Sequence, residues 1–230
     1  MSEITANHVR GLWKREYIKI PAEEPTFEDH ETEVYWFQAE GLYADLRIPK
    51  LVAIGKHDSD LVRKCEGFAG VSSVENNTCT WQRFINLQGP LEGADIGVLK
   101  FADEGLYEIG LEDAYLELWT RVDVQGEVNG QTYRTESHET VVAIWSDSHF
   151  LIAIDAIGRL DNETVLKDTP GQIDYGTYCF GHIQKGEAIV SLSNRPSLFG
   201  QSILTGLATR DLKPEPALKA FAGDGDWVIT

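Results

Sequence analysis

Along much of the chain apolar and polar residues alternate with period two, the pattern of strands whose two faces meet different surroundings. Leu42, Ala44, Leu46 and Ile48 fall on one side of such a run, and Tyr43, Asp45 and Arg47 on the other. Val34, Trp36 and Gln38 share a face in the run before it. Tyr115, Glu117, Trp119 and Arg121 alternate against Leu116, Leu118 and Val122, and Trp81 and Arg83 against Gln82 and Phe84. Turn signals separate the runs: Ala39-Glu40-Gly41, Glu75-Asn76-Asn77, Ala102-Asp103-Glu104-Gly105, Ser146-Asp147-Ser148-His149 and Gln184-Lys185-Gly186 each join two β-prone segments. Asn129-Gly130, between residues 122–128 and 131–135, gives the strongest two-residue hairpin signal. Residues 227–229 predict a closing strand, and helices are predicted only over 59–66, 198–207 and 215–222.

The expected fold class is therefore all-β with few short helices, an antiparallel β-barrel built of hairpins. Phe37-Gln38 before Leu42-Tyr43, and Trp145-Ser146 before Phe150-Leu151, stand at one offset around a polar turn, which suggests two similar barrel halves. Gly126, Asn129, Gly130 and the polar run 135–139 mark the division, giving residues 1–125 as a first barrel half. Residues 126–230 form either a second barrel half or the completion of one large barrel.

Composition narrows the partners. The chain has 230 residues and a formal charge of −17, from 37 acidic and 20 basic side chains, so its mean field repels nucleic acids and anionic membrane surfaces. The first dozen residues lack the apolar core of a signal peptide, and no stretch approaches the roughly 20 apolar residues of a membrane-spanning helix. A soluble, cytoplasmic protein is expected. Cys65, Cys79 and Cys179, an odd number with no CxxC pair, fit a reducing compartment and argue against a disulfide framework or a cysteine zinc site.

Motifs of known chemistry are missing. None of the six histidines forms HxH or HExxH, and His57 with Asp58 and Asp60 reads as a solvated loop, so no metal is expected. There is no GxSxG, GxGxxG or phosphate loop, and no cofactor is expected.

The two-faced strands are the candidate site. Turned into a barrel, Trp36, Gln38, Tyr43, Asp45, Arg47, Trp81, Arg83, Glu117, Trp119 and Arg121 would line a pocket: rings to grip a flat or apolar body, arginines to meet an anionic group. Turned to water, the same residues would make cross-strand ion pairs worth about 0.2–1 kcal/mol each. Both orientations stay open at this level.

Leu12-Trp13-Lys14-Arg15, residues 34–38 and 42–49, Gly67-Phe68-Ala69-Gly70, residues 79–83 and residues 115–119 resemble a family of uncharacterised bacterial proteins over about the first half of the chain. The combination is also similar to calycin-type barrels such as lipocalins, and Gly11-Leu12-Trp13 matches the spacing of their GxW motif. That resemblance implies meandering hairpins around a small-molecule cavity. Three functions follow: binding of a small organic ligand, anionic or aromatic; catalysis in the same pocket with Asp45 or Glu117 as acid or base; and a non-catalytic structural or interaction module, with homo-oligomerisation left open.

Overall fold

The computed structural model describes residues 3–54, 64–89, 93–135, 139–155, 176–222 and 227–230. Nine strands form the first sheet: β1 (Gly11–Ile20), β2 (Phe27–Asp29), β3 (Thr32–Gln38), β4 (Leu42–Pro49), β5 (Glu66–Glu75), β6 (Thr78–Asn86), β7 (Asp95–Ala102), β8 (Gly105–Gly110) and β9 (Leu116–Val122). Neighbours pair antiparallel, and β9 pairs back onto β1, so all but β2 close into an eight-stranded barrel. Closure leaves these strands no free edge. In this sheet the hairpins around Gly41, Asn76-Asn77 and Asp103-Glu104 lie where the sequence predicts them. Between β5 and β6, Asn76 and Asn77 both take positive φ, as a tight two-residue turn requires.

The remaining strands, β10 (Asn129–Arg134), β11 (Thr140–Trp145), β12 (His149–Asp155), β13 (Gly176–Gln184), β14 (Glu187–Ser193), β15 (Ser202–Thr205), β16 (Lys213–Pro214) and β17 (Val228–Ile229), form a second antiparallel sheet in the order β16-β15-β14-β13-β12-β11-β10-β17. Among the described residues this sheet does not close on itself. Among the described residues the architecture is one closed barrel and one open sheet. Short helices are α1 (Ala6–Val9), α2 (Lys50–Ala53) and α3 (Pro216–Ala222).

Three apolar clusters hold the chain. One lies inside the barrel, around Trp13, Trp36, Tyr43, Trp81 and Trp119. A second joins the barrel's outer wall to the open sheet: Leu12, Phe37, Ala44, Leu46 and Ile48 pack against Val142, Ile144, Leu151, Ala153, Tyr178 and Phe180. Tyr35 stacks on Phe180 with ring centroids 4.1 Å apart, and the Tyr178 ring occupies the space a side chain at Gly67 would need. The third covers the other face of the open sheet, with Val141, Ile152, Ile154, Val190, Leu204 and Leu218.

Some sequence expectations are corrected. Asn129-Gly130 is not a turn: it opens β10, opposite Trp145 and Ile144, and residues 123–128 form no strand. Glycine is required there for proximity, because a Cβ on Gly130 would stand 2.6 Å from the Ala39 Cβ of the barrel. Residues 199–206 are not helical, and only Leu198 and Leu207 at the two ends of the expected helix belong to 3-10 turns. The segment leaves a short 3-10 turn (Pro196–Leu198) for β15, with Gly200 and Gly206 at positive φ on either side and Ile203 and Leu204 buried. Of the helix expected over 59–66, residues 59–63 lie outside the described residues and Glu66 already belongs to β5. The long first strand β1, unforeseen as a strand, closes the barrel.

Candidate functional site: the charged mouth of the barrel

Strand β4 settles which faces are inside. Tyr43 and Asp45 are buried in the barrel with Arg47 beside them, whereas Leu46 and Ile48 pack outward on the open sheet. The polar-aromatic faces of β3, β6 and β9 point inward as well. An eight-stranded barrel is just wide enough for side chains to fill, and here tryptophans fill it. Trp36 lies 6.1 Å from Trp13, stacked, and meets Trp81 and Trp119 edge-on at 5.7 and 5.6 Å.

One end is plugged. The Arg121 guanidinium lies 4.3 Å over the Trp13 ring and donates to the backbone carbonyls of His8 and Arg10. Ile4 and Val9 of the N-terminal segment are buried there. Gln38 is also at this end, taking the Trp36 indole N–H and donating to Leu42 O and Ser72 Oγ.

The other end is charged. Arg15 Nη1 donates to Glu117 Oε1 at 2.7 Å and its Nη2 to Asp29 at 3.0 Å. Arg47 Nε donates to Asp45 at 2.9 Å, and its Nη1 reaches Glu117 at 3.5 Å. These contacts make a continuous chain, Asp29–Arg15–Glu117–Arg47–Asp45. Burial works against the Arg47 charge, but Asp45 and Glu117 outweigh it and hold that guanidinium well above its ordinary pKa. Arg83, bonded to Asp95, and Arg47 both lie over the Phe68 ring, at 4.0 and 5.2 Å.

Glu108 is the carboxyl with no guanidinium of its own among the described residues. Its oxygens receive the Tyr115 hydroxyl at 2.8 Å and the Trp119 indole N–H at 3.1 Å. Burial, then the neighbouring Glu117 charge, pushes its pKa well above the carboxylate range. A protonated Glu108 can reverse its bond to Tyr115, whose hydroxyl then turns to Asp95, 3.5 Å away. Tyr43 adds a second unusual group. It is 2% exposed, and its hydroxyl, which has the Arg83 guanidinium nearby, meets no partner in hydrogen-bond geometry among the described residues.

Space around these groups is small. A void of about 20 Å³, room for one water, touches Tyr43, Asp45, Trp81 and Glu108. It adjoins a cleft of about 110 Å³ at the mouth, bounded by Ile18, Phe68, Tyr115, Glu117 and the Arg47 and Arg83 side chains. Drug-sized ligands occupy roughly 300–1,000 Å³, so the cleft suits a compact molecule. A wider groove of about 390 Å³ lies at the plugged end between Ile4, the Asn76-Asn77 turn and Val98–Phe101, with Lys100 its one charged lining group.

The structure thus gathers every sequence candidate around the void or mouth except Gln38 and Arg121, which brace the plugged end. Sequence reasoning missed Arg15, Phe68, Asp95 and Glu108, and it placed Tyr115 on the face of Glu117 and Trp119 without naming it as a site residue. For Glu108 a signal existed, since Leu106, Glu108 and Gly110 alternate through β8. The other chemistry is spare. Burial pushes the Cys79 thiol up strongly and that of Cys179 to about 12, which keeps both unreactive. Among the described residues no group of three or more His, Cys, Asp or Glu is placed to hold a metal ion, and no helix is long and apolar enough to cross a membrane.

No family model matches the chain, and no curated protein does. Among solved structures it is similar to the crystal structure of the uncharacterized protein YLR301w from Saccharomyces cerevisiae, with a TM-score of 0.57 and 14% identity over 95% of this chain and 96% of that one. At that identity the likeness shows the fold alone, over nearly the whole length of both chains.

Proposed function

We propose that the protein is a cytoplasmic small-molecule-binding barrel that takes a compact polar organic ligand at its charged mouth. The observation that supports this reading is the Tyr43 hydroxyl, buried and without a partner in hydrogen-bond geometry among the described residues, at a void that shares Arg47, Arg83, Asp95 and Glu108 with a cleft lined by groups of both charges. Buried polar groups are as a rule hydrogen-bonded, so an orphaned hydroxyl beside a void is a place for a polar partner to fill. A flat aromatic ligand would have to displace the packed tryptophans, so the ligand is small and rich in hydrogen-bonding groups. Calorimetric titration with a panel of small polar metabolites, against wild type, Tyr115→Phe and Arg121→Met, tests it. Binding that weakens in Tyr115→Phe and persists in Arg121→Met is expected. A panel without any binder, or one whose binding follows Arg121, sinks it.

A further inference from the structure

The mouth is unbalanced in charge. Arg15, Arg47 and Arg83 face the carboxyl groups of Asp29, Asp45, Asp95, Glu108 and Glu117, and the arginines are already engaged by Asp29, Asp45, Asp95 and Glu117. An anion entering the cleft would have to compete with those carboxylates for each guanidinium. A cation would find carboxyl oxygens in excess. Glu108 holds only neutral donors, a phenol and an indole, and stands beside Glu117, its register partner across the barrel wall. Neutralising it takes either a proton or a positive ligand.

We infer that the mouth recognises a small organic cation, a primary ammonium group carried on a short chain, which binds Glu108 and Asp95 in the cleft and reaches toward the Tyr43 hydroxyl. This rests on the mouth being a ligand site at all. The ammonium group matches what is there: it has three N–H donors and no acceptor, and Glu108, Asp95 and the unpartnered Tyr43 oxygen are acceptors lining the cleft or the void behind it. The volume fits such a group and a few carbon atoms. Ile18 and Phe68 give the chain an apolar border at the rim. The raised Glu108 pKa agrees, because a carboxyl short of a counter-charge holds its proton more tightly than an ordinary one. Binding then proceeds as an exchange in which the ammonium enters and the Glu108 proton leaves to solvent.

The test uses methylammonium and n-butylammonium as probes against acetate and inorganic phosphate, titrated calorimetrically into the full chain at pH 7 in two buffers of different protonation enthalpy. Binding of the ammonium probes with net proton release, at most one proton per ligand, is expected. Glu108→Gln keeps acceptor and donor in place of the acid, and should weaken the ammonium probes about ten- to a hundredfold, the worth of a charge-assisted hydrogen bond, and abolish the proton release. Tyr43→Phe, a conservative change that unburdens the fold of an unpaired hydroxyl, should weaken them less and leave the proton release intact. Binding of acetate or phosphate in place of the ammonium probes overturns the inference and leaves the mouth as a ligand site. Ammonium binding indifferent to both variants places the cation elsewhere and overturns it as well. If no probe of either sign binds, the inference falls, and the wider metabolite panel decides the ligand-site reading separately.

Discussion

Glu108 on β8 and Glu117 on β9 are register partners, and both are buried inside the barrel. Directly opposed side chains of neighbouring antiparallel strands hold their Cβ atoms about 4.5–5.5 Å apart, and like charges there destabilise the pair. The two residues resolve the conflict differently. Glu117 lies between the Arg15 and Arg47 guanidiniums, whereas Glu108 has the Tyr115 hydroxyl and the Trp119 indole.

The proton on Glu108 should appear in stability. Its folded pKa lies above the unfolded value, so between the two the folded state holds a proton the unfolded chain has lost. Stability therefore falls as pH rises through that window, by about 1.4 kcal/mol for each unit separating the two values. Urea unfolding at pH 5 and pH 8 should show wild type losing more stability than Glu108→Gln. Equal losses in the two proteins would mean that Glu108 does not titrate there.

Glu117 is expected to be the costliest of the mouth carboxylates to remove. Its side chain is 2% exposed, and Glu117→Ala takes a partner from both Arg15 and Arg47, for a loss of about 3 kcal/mol or more. Asp29→Asn, at the rim, should cost about 1 kcal/mol or less. Chemical denaturation of the two variants reads the difference.

At the plugged end, Arg121→Met keeps the stem that covers Trp13 and removes the donors to the His8 and Arg10 carbonyls. Backbone amides of residues 4–10 should then exchange with deuterium faster, while those of β4 and β6 stay protected. Protection lost equally throughout the barrel would show that the plug is not a separate unit.

Gly130→Ala should destabilise the protein by about 1–3 kcal/mol, the usual cost of overpacking, although alanine costs a strand less backbone entropy than glycine. The collision is with Ala39, so the double variant Gly130→Ala, Ala39→Gly should recover most of the loss. Thermal unfolding of the three proteins settles it.

Much of this was legible in the sequence. The hairpins around Gly41, Asn76-Asn77 and Lys185-Gly186 follow from local turn chemistry, and alternation in β4, β6 and β9 separates the polar-aromatic residues from the aliphatic ones. Which face is inside was not legible, because a barrel wall backed by another sheet buries both. Nor was the role of Gly130, since a turn glycine and a contact glycine read alike. Arg15 pairs with Glu117, 102 positions away, a separation that local pattern cannot span, and Glu108 became informative only once its strand lay against Glu117.

The wall built of β3, β4 and the start of β5 has no wet side: Trp36, Tyr43 and Asp45 look inward, and Phe37, Leu46 and Ile48 look onto the open sheet. Barrel and sheet are consequently obligate companions. Release of the barrel alone, by cleavage after residue 125, would bare a continuous greasy panel and leave a barrel that sticks to itself. The same wall makes the pocket and the second sheet next-door neighbours, one strand thick apart, with the Tyr178 ring resting in the space that Gly67 leaves open.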